Sequence, residues 1–178
     1  DYINRIGRQA REASRTMARV STSAKNAVLE RIAELLLEQE TNIRAANEAD
    51  LESARAEGLG EAFLDRLTIT AAGLRAMAEG CRQIAALEDP VGTISDLAPR
   101  PSGIEVGRMR VPLGVLAMIY ESRPNVTIDA AALALKSGNA IILRGGHEAL
   151  RSNTALWEII VQALGEQGLP VHAVQLIE

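Results

Sequence analysis

Two short segments hold the residue types from which chemistry could be built. The first is Arg144-Gly145-Gly146-His147. Adjacent glycines remove side-chain bulk, so a ligand can lie against the backbone. Arg144 adds a fixed cation with a planar fork of donors. A helix beginning just beyond would offer free N–H groups to an anion. Together these suit a nucleotide ribose or phosphate. The segment is not a Walker loop, because no Gly-Lys-Ser/Thr follows, and it is not G-x-G-x-x-G. A tight strand-to-helix turn with a surface arginine would use the same residues.

The second segment is Glu121-Ser122-Arg123-Pro124-Asn125. Arg123 can pair with an acidic or phosphorylated substrate. Asn125 can donate an amide N–H to a developing oxyanion, a contact typically worth about 3–4 kcal/mol in the transition state. The competing assignment is structural: Pro124-Asn125 shapes the turn, and Asn125 caps a helix beginning at Val126. On residue type alone, capping is the expectation.

The remaining reactive side chains point to structure. Cys81, the one cysteine, shares an apolar stripe with Leu74, Met77 and Ile84, while Arg82 falls on another helix face. It reads as core rather than nucleophile. A lone cysteine excludes an internal disulfide and any multi-cysteine metal site, and it fits a cytoplasmic protein. His147 and His172 are isolated, with no metal-ligand spacing, so no metal is expected. His172 precedes the last strand and reads as structural, and Trp157 with Ile159-Ile160 reads as helix packing. Asn125-Val126-Thr127 is formally a glycosylation sequon, but no secretion signal accompanies it.

The elements that position these residues divide the chain in two. Residues 1–90 read as helices. Ile3, Ile6, Ala10, Ala13, Met17 and Val20 form one stripe at spacings of three and four. Ser21-Thr22-Ser23 can cap a second helix over 24–38, with Val28, Ile32, Leu35 and Leu36 inward. Thr41 or Asn42 could cap a third helix ending near Gly58, and Gly58 with Gly60 marks a turn. Thr70 can cap a further helix carrying Leu74, Met77, Cys81, Ile84 and Leu87, which Asp89-Pro90 ends. Residues 91–114 read as a linker and strand hairpin, with a strand over 104–110. Residues 115–178 read strand (115–120), helix (126–136, Asp129 in its first turn), strand (140–143), helix (148–167), strand (173–177). That order predicts α/β architecture: right-handed crossovers and half of a doubly wound parallel nucleotide-binding sheet. Three strands leave an exposed edge and an uncovered face, as if more strands should follow.

Composition narrows the function classes. Hydrophobic residues make up 47% of the 178, aromatics only 2%, so the core must be built from Ala, Leu, Ile and Val. Net charge is −4, which argues against a polyanion binder by charge alone. Arg5, Arg8, Arg11, Arg15 and Arg19 do share a helical face. A transit peptide can look so, but Asp1 and Glu12 interrupt the charge, and a solvated face is the expectation. No run of 18 apolar residues exists, so no membrane span is expected.

A longer pattern overlies these segments. Val111-Pro112-Leu113-Gly114-Val115, then Tyr120-Glu121-Ser122-Arg123-Pro124-Asn125-Val126-Thr127, closely resembles the γ-glutamyl phosphate reductases (glutamate-5-semialdehyde dehydrogenases) of the aldehyde dehydrogenase superfamily. Leu135-Lys136-Ser137-Gly138-Asn139, Ile141-Ile142-Leu143-Arg144-Gly145-Gly146, Ile6-Gly7, Ala10-Arg11 and Ser23-Ala24-Lys25-Asn26 extend the likeness over essentially the whole chain. The resemblance implies NADPH-dependent reduction of γ-glutamyl 5-phosphate to glutamate 5-semialdehyde with release of phosphate, a step of proline biosynthesis. A cysteine thiolate from a later domain would attack the acyl phosphate, and no residue here matches it. The implied reading is an N-terminal, cofactor-binding portion, inactive alone, whose parent oligomerises through a hairpin that includes 104–111. Carried over by position, Arg144, Gly145, Gly146 and His147 would meet the adenosine end of the cofactor, Arg123 the substrate, and Asn125 the oxyanion. His147 departs from the small polar, lysine or acidic residue common there, which leaves NADPH against NADH open. Two other readings remain: a non-catalytic nucleotide-binding or assembly module, and a helical scaffold whose basic stripe binds nucleic acid or membrane in a salt-dependent way.

Overall fold

The computed structural model describes residues 1–177. Helix α1 (Tyr2–Met17) buries Ile6, Ala10, Ala13 and Met17 on one stripe and leaves its arginines exposed. Ile3, at the frayed end of the stripe, stays 55% exposed. In α2 (Thr22–Glu38) the Ser21 hydroxyl accepts the Ala24 amide at 3.3 Å, and Val28, Ile32, Leu35 and Leu36 turn inward as the pattern requires. The cap expected at Thr41 or Asn42 does not form. The chain passes from α2 to α3 (Glu40–Ala56) through Gln39 alone, so both residues fall inside the helix. A further helix, α4 (Glu61–Leu67), lies where only a turn was expected. It is too short to show a clear period. It docks by packing Phe63, Leu64 and Leu67 against Leu51, Ala54 and Ala149. Thr70 caps α5 (Ala71–Ala86), accepting the Gly73 amide at 2.9 Å. Leu87, expected in the core, lies past the helix end and is 57% exposed.

Strands β1 (Ile94–Pro99) and β2 (Glu105–Met109) form an antiparallel hairpin. β1 sits in a stretch whose Pro, Gly and Ser content suggests linker. Its pairing shifts between Ser95 and Ala98, where Asp96 adopts φ +54°, and that irregularity breaks the period-two signal. The second half follows the expected alternation: β3 (Val115–Ile119), α6 (Asn125–Lys136), β4 (Ala140–Arg144), α7 (Leu150–Glu166) and β5 (Val174–Leu176). The three strands are parallel in the order β3-β4-β5, with Val115 beside Ala140 and Ile141 beside Val174. Short 3₁₀ turns at His147–Ala149 and Val171–Ala173 take up residues expected at the start of α7 and of the last strand.

Helices α6 and α7 pack on one face of the sheet, with α2 and α5 outside them. The face expected to be bare is covered. α1 packs on β4 and touches β3 and β5, and Gln175 Nε2 donates to the Ile6 carbonyl at 2.8 Å. What stays open is β3, where Ile119 is 77% exposed. One core runs from Ala13 on α1 to Leu176 on β5. Two buried lysines stitch its margin. Lys25 pairs with Asp89 at 2.5 Å, and Lys136 Nζ donates to Asn26 Oδ1 and the Ala85 carbonyl, each at 2.7 Å. The Ser137-Gly138-Asn139 segment has a structural task. Gly138 turns the chain at φ +72° against Pro112, and Asn139 Oδ1 accepts the Gly114 amide at 2.8 Å, setting the start of β3 beside that of β4.

Candidate functional site

The loops after β3 and β4 lie side by side at the carboxyl ends of the strands, where open parallel sheets bind ligands. Strand pairing fixes this, because Ile119 stands beside Arg144 and the Tyr120 amide donates to the Arg144 carbonyl at 3.0 Å. Arg144, Gly146 and His147 line one groove of about 460 Å³, with Leu59 and Phe63 as an apolar wall and Glu57, Glu121 and Glu148 contributing carboxylates. The His147 ring is 88% exposed. The groove therefore combines one fixed cation, an apolar wall and several carboxylates.

A second groove, about 530 Å³, is lined by Arg123, Ser122 and the α4 residue Arg66, and shares Ile119, Tyr120 and Glu121 with the first. Asn125 is in neither. It opens α6, makes no capping bond, and borders a third groove of about 310 Å³ with Thr68, Ile69 and Asp129. The expected cap is therefore not made, since the turn places Asn125 one residue too far along. Its Nδ2 instead donates to Asp129 at 3.0 Å. Asp129 lies in the second turn rather than the first, and burial pushes its carboxyl above the ordinary range despite the Asn125 bond.

Three residues central to this architecture were not anticipated. Glu148 is the link between the loops. Its carboxylate accepts the Ser122 amide at 3.0 Å and sits 3.5 Å from His147 Nδ1, with only 10% of the side chain exposed. It also explains a glycine, because a Cβ on Gly146 would overlap this carboxylate. Asn153 explains the other, since its amide fills the space a Cβ on Gly145 would need. Asn153 Oδ1 accepts from Thr127 at 3.1 Å, and Thr127 meets the Tyr120 hydroxyl at 2.7 Å. This buried chain braces both loops from below, and burial raises the Tyr120 phenol.

The third is Asp50 of α3. Its carboxylate accepts the Arg151 amide at 3.3 Å and the Ser152 amide and hydroxyl at 2.7 Å. The α7 amide groups expected to be free for a ligand are thus partly occupied by the protein's own anion. Buried carboxylates on distant helices carry no local sequence signal. Cys81 is 1% exposed, and burial pushes its thiol up to about 12. It cannot serve as a thiolate nucleophile at neutral pH.

A parallel sheet flanked by helices, with a cationic, glycine-bearing loop at its carboxyl edge, is an arrangement shared by α/β enzymes with open parallel sheets. The chain belongs to the aldehyde dehydrogenase family, whose profile matches residues 1–178. Among solved structures it is similar to γ-glutamyl phosphate reductase from Thermotoga maritima: 41% identity, TM-score 0.96, covering 100% of this chain and 43% of that one. The γ-glutamyl phosphate reductase from Saccharomyces cerevisiae is 34% identical with a TM-score of 0.92, covering 98% of this chain and 45% of that one. A probable aldehyde dehydrogenase from Listeria monocytogenes, at 17% identity and TM-score 0.72, covers 98% of this chain and 36% of that one, and shares the fold. The chain thus spans less than half the length of the two reductases. Among the described residues, no helix is long and apolar enough to cross a membrane.

Proposed function

We propose that these residues supply the cofactor groove and part of the substrate groove of a cytoplasmic, NADPH-dependent γ-glutamyl phosphate reductase, acting in proline biosynthesis and inactive as the 178-residue chain alone. Family membership implies an NAD(P)-dependent oxidoreductase. The observation that carries the finer reading is the 41% identity to one such reductase over the whole chain, with a TM-score of 0.96. When bound, the dinucleotide supplies hydride. Arg144 would hold the 2′-phosphate of its adenosine, Gly145 and Gly146 let the loop approach, and His147 would border the ribose. Arg123 would meet the substrate. Asn125, oriented by Asp129 through one N–H, would offer the other to the oxyanion. Residues 1–90 and 115–178 form the cofactor unit, and the 91–114 hairpin would serve homo-oligomerisation.

The test runs the reaction in reverse on the natural protein, with glutamate 5-semialdehyde, inorganic phosphate and NADP. Phosphate-dependent formation of NADPH is expected. Turnover that is indifferent to phosphate, or specific to NAD, would overturn the reading.

A further inference from the structure

Helix α4 brings a second guanidinium to the groove after β3. Arg66 and Arg123, from separate elements, line the same space of about 530 Å³, whose lining includes Ile119, Tyr120 and Val126. Arg66 is held over the Phe63 ring, 5.8 Å from its centroid, one turn away on the same helix face. Among the described residues neither arginine has a carboxylate within 4.0 Å, so both guanidiniums are free to meet an anion in the groove. Two unpaired cations lining one groove repel each other, and an anion between them is attracted to both and offsets that repulsion. Glu121 stands where this groove meets the neighbouring one and, among the described residues, is likewise unpaired.

We infer that Arg66, Arg123 and Glu121 form a site that reads an amino acid bearing a second anionic group, the two guanidiniums taking its anions and the Glu121 carboxylate its α-ammonium. The inference rests on the proposed reductase reading for its substrate. γ-Glutamyl phosphate carries a carboxylate, a phosphate and an ammonium, so its charges complement the three side chains in number and sign. Guanidinium forks suit both oxyanions. Exposure of the groove keeps each contact modest, while the pattern of signs confers selectivity.

The experiment uses the natural protein and two substitutions on exposed side chains, Arg66→Gln and Glu121→Gln, with Arg66→Lys as a conservative control. L-Glutamate binding is followed by calorimetry, and reverse turnover is measured with glutamate 5-semialdehyde and with 5-oxopentanoate, which lacks the amino group. Arg66→Gln is expected to raise the glutamate Kd and the semialdehyde KM by about tenfold, with NADPH affinity unchanged and partial rescue by lysine. Glu121→Gln is expected to abolish the preference for the amino compound. If turnover is intact and neither substitution alters these constants by more than about twofold, the site is refuted and the reductase reading survives. If no turnover occurs but glutamate binds and Arg66→Gln abolishes that binding, the reductase reading fails and the site stands. Glutamate that does not bind, with no turnover, removes both.

Discussion

Arg144 and Asn125 carry different kinds of interaction, and their variants should separate. Arg144 is exposed and its cation is fixed, so its contribution rests on the charge of what it meets. Arg144→Ala in the natural protein is expected to weaken NADPH binding about tenfold and NADH binding far less, because only the former carries the 2′-phosphate. Equal losses in fluorescence titrations with the two cofactors would remove that role. Asn125→Ala is expected to lower kcat by about 10²-fold with cofactor affinity unchanged. Unchanged turnover would leave Asn125 as no more than the partner of Asp129. Arg144 stands out in the sequence because a lone cation closes the apolar β4 run. Arg66 was not, because nothing local marks a seven-residue helix, and the groove that gives it meaning forms only in three dimensions.

The elements are held in place by buried carboxylates acting across the chain. Glu148 ties the β4 loop to the β3 loop through the Ser122 amide. Glu148→Ala is expected to raise the hydrogen-exchange rate of Ser122 by tenfold or more, while Glu148→Gln, which keeps an acceptor, should stay near wild type. Equal rates in both variants would show that the carbonyl geometry of the strands alone sets the loop. Asp50 caps α7 from α3 with charge-assisted bonds to Ser152 and Arg151. Asp50→Ala should cost about 2–3 kcal/mol in urea unfolding, since it leaves buried donors unpaired at a helix N-terminus. A loss under about 0.5 kcal/mol would mean that water replaces the carboxylate. The helices and parallel strands themselves were visible from period and breakers, as with Ser21, Thr70 and the 115–119 run. The exceptions have local causes. β1 is masked by its irregularity at Asp96, and α3 by a one-residue junction at Gln39.

Across the whole molecule, the Lys25–Asp89 pair joins the start of α2 to the segment leaving α5. Burial pulls the Asp89 carboxyl up, but bonds from Lys25, Thr22 and the Val91 amide outweigh it and hold the group below the usual aspartate range. A lowered carboxyl adds stability that is present above its unfolded value of about 3.9 and is lost as pH falls through the folded value. Asp89→Asn should therefore cost about 3 kcal/mol at neutral pH, where Lys25 is left buried without its counter-charge, and the gap to wild type should close under acid. A pH-independent gap in denaturant melts would assign the effect to packing. The sequence pattern identified Lys25 as part of a family-like segment but not its partner, 64 residues on, because pairing at that range is written only in the fold.

Trp157 is the single tryptophan of the chain, and its indole N–H donates to the Val174 carbonyl at 3.0 Å. That bond ties the middle of α7 to the first residue of β5, the last strand. In the 178-residue chain, with two tyrosines and no competing indole, emission excited at 295 nm comes almost wholly from this one junction. A red shift that precedes the loss of helical ellipticity would time the release of β5 separately from the melting of the helices, giving an optical clock for the edge of the sheet without any added label.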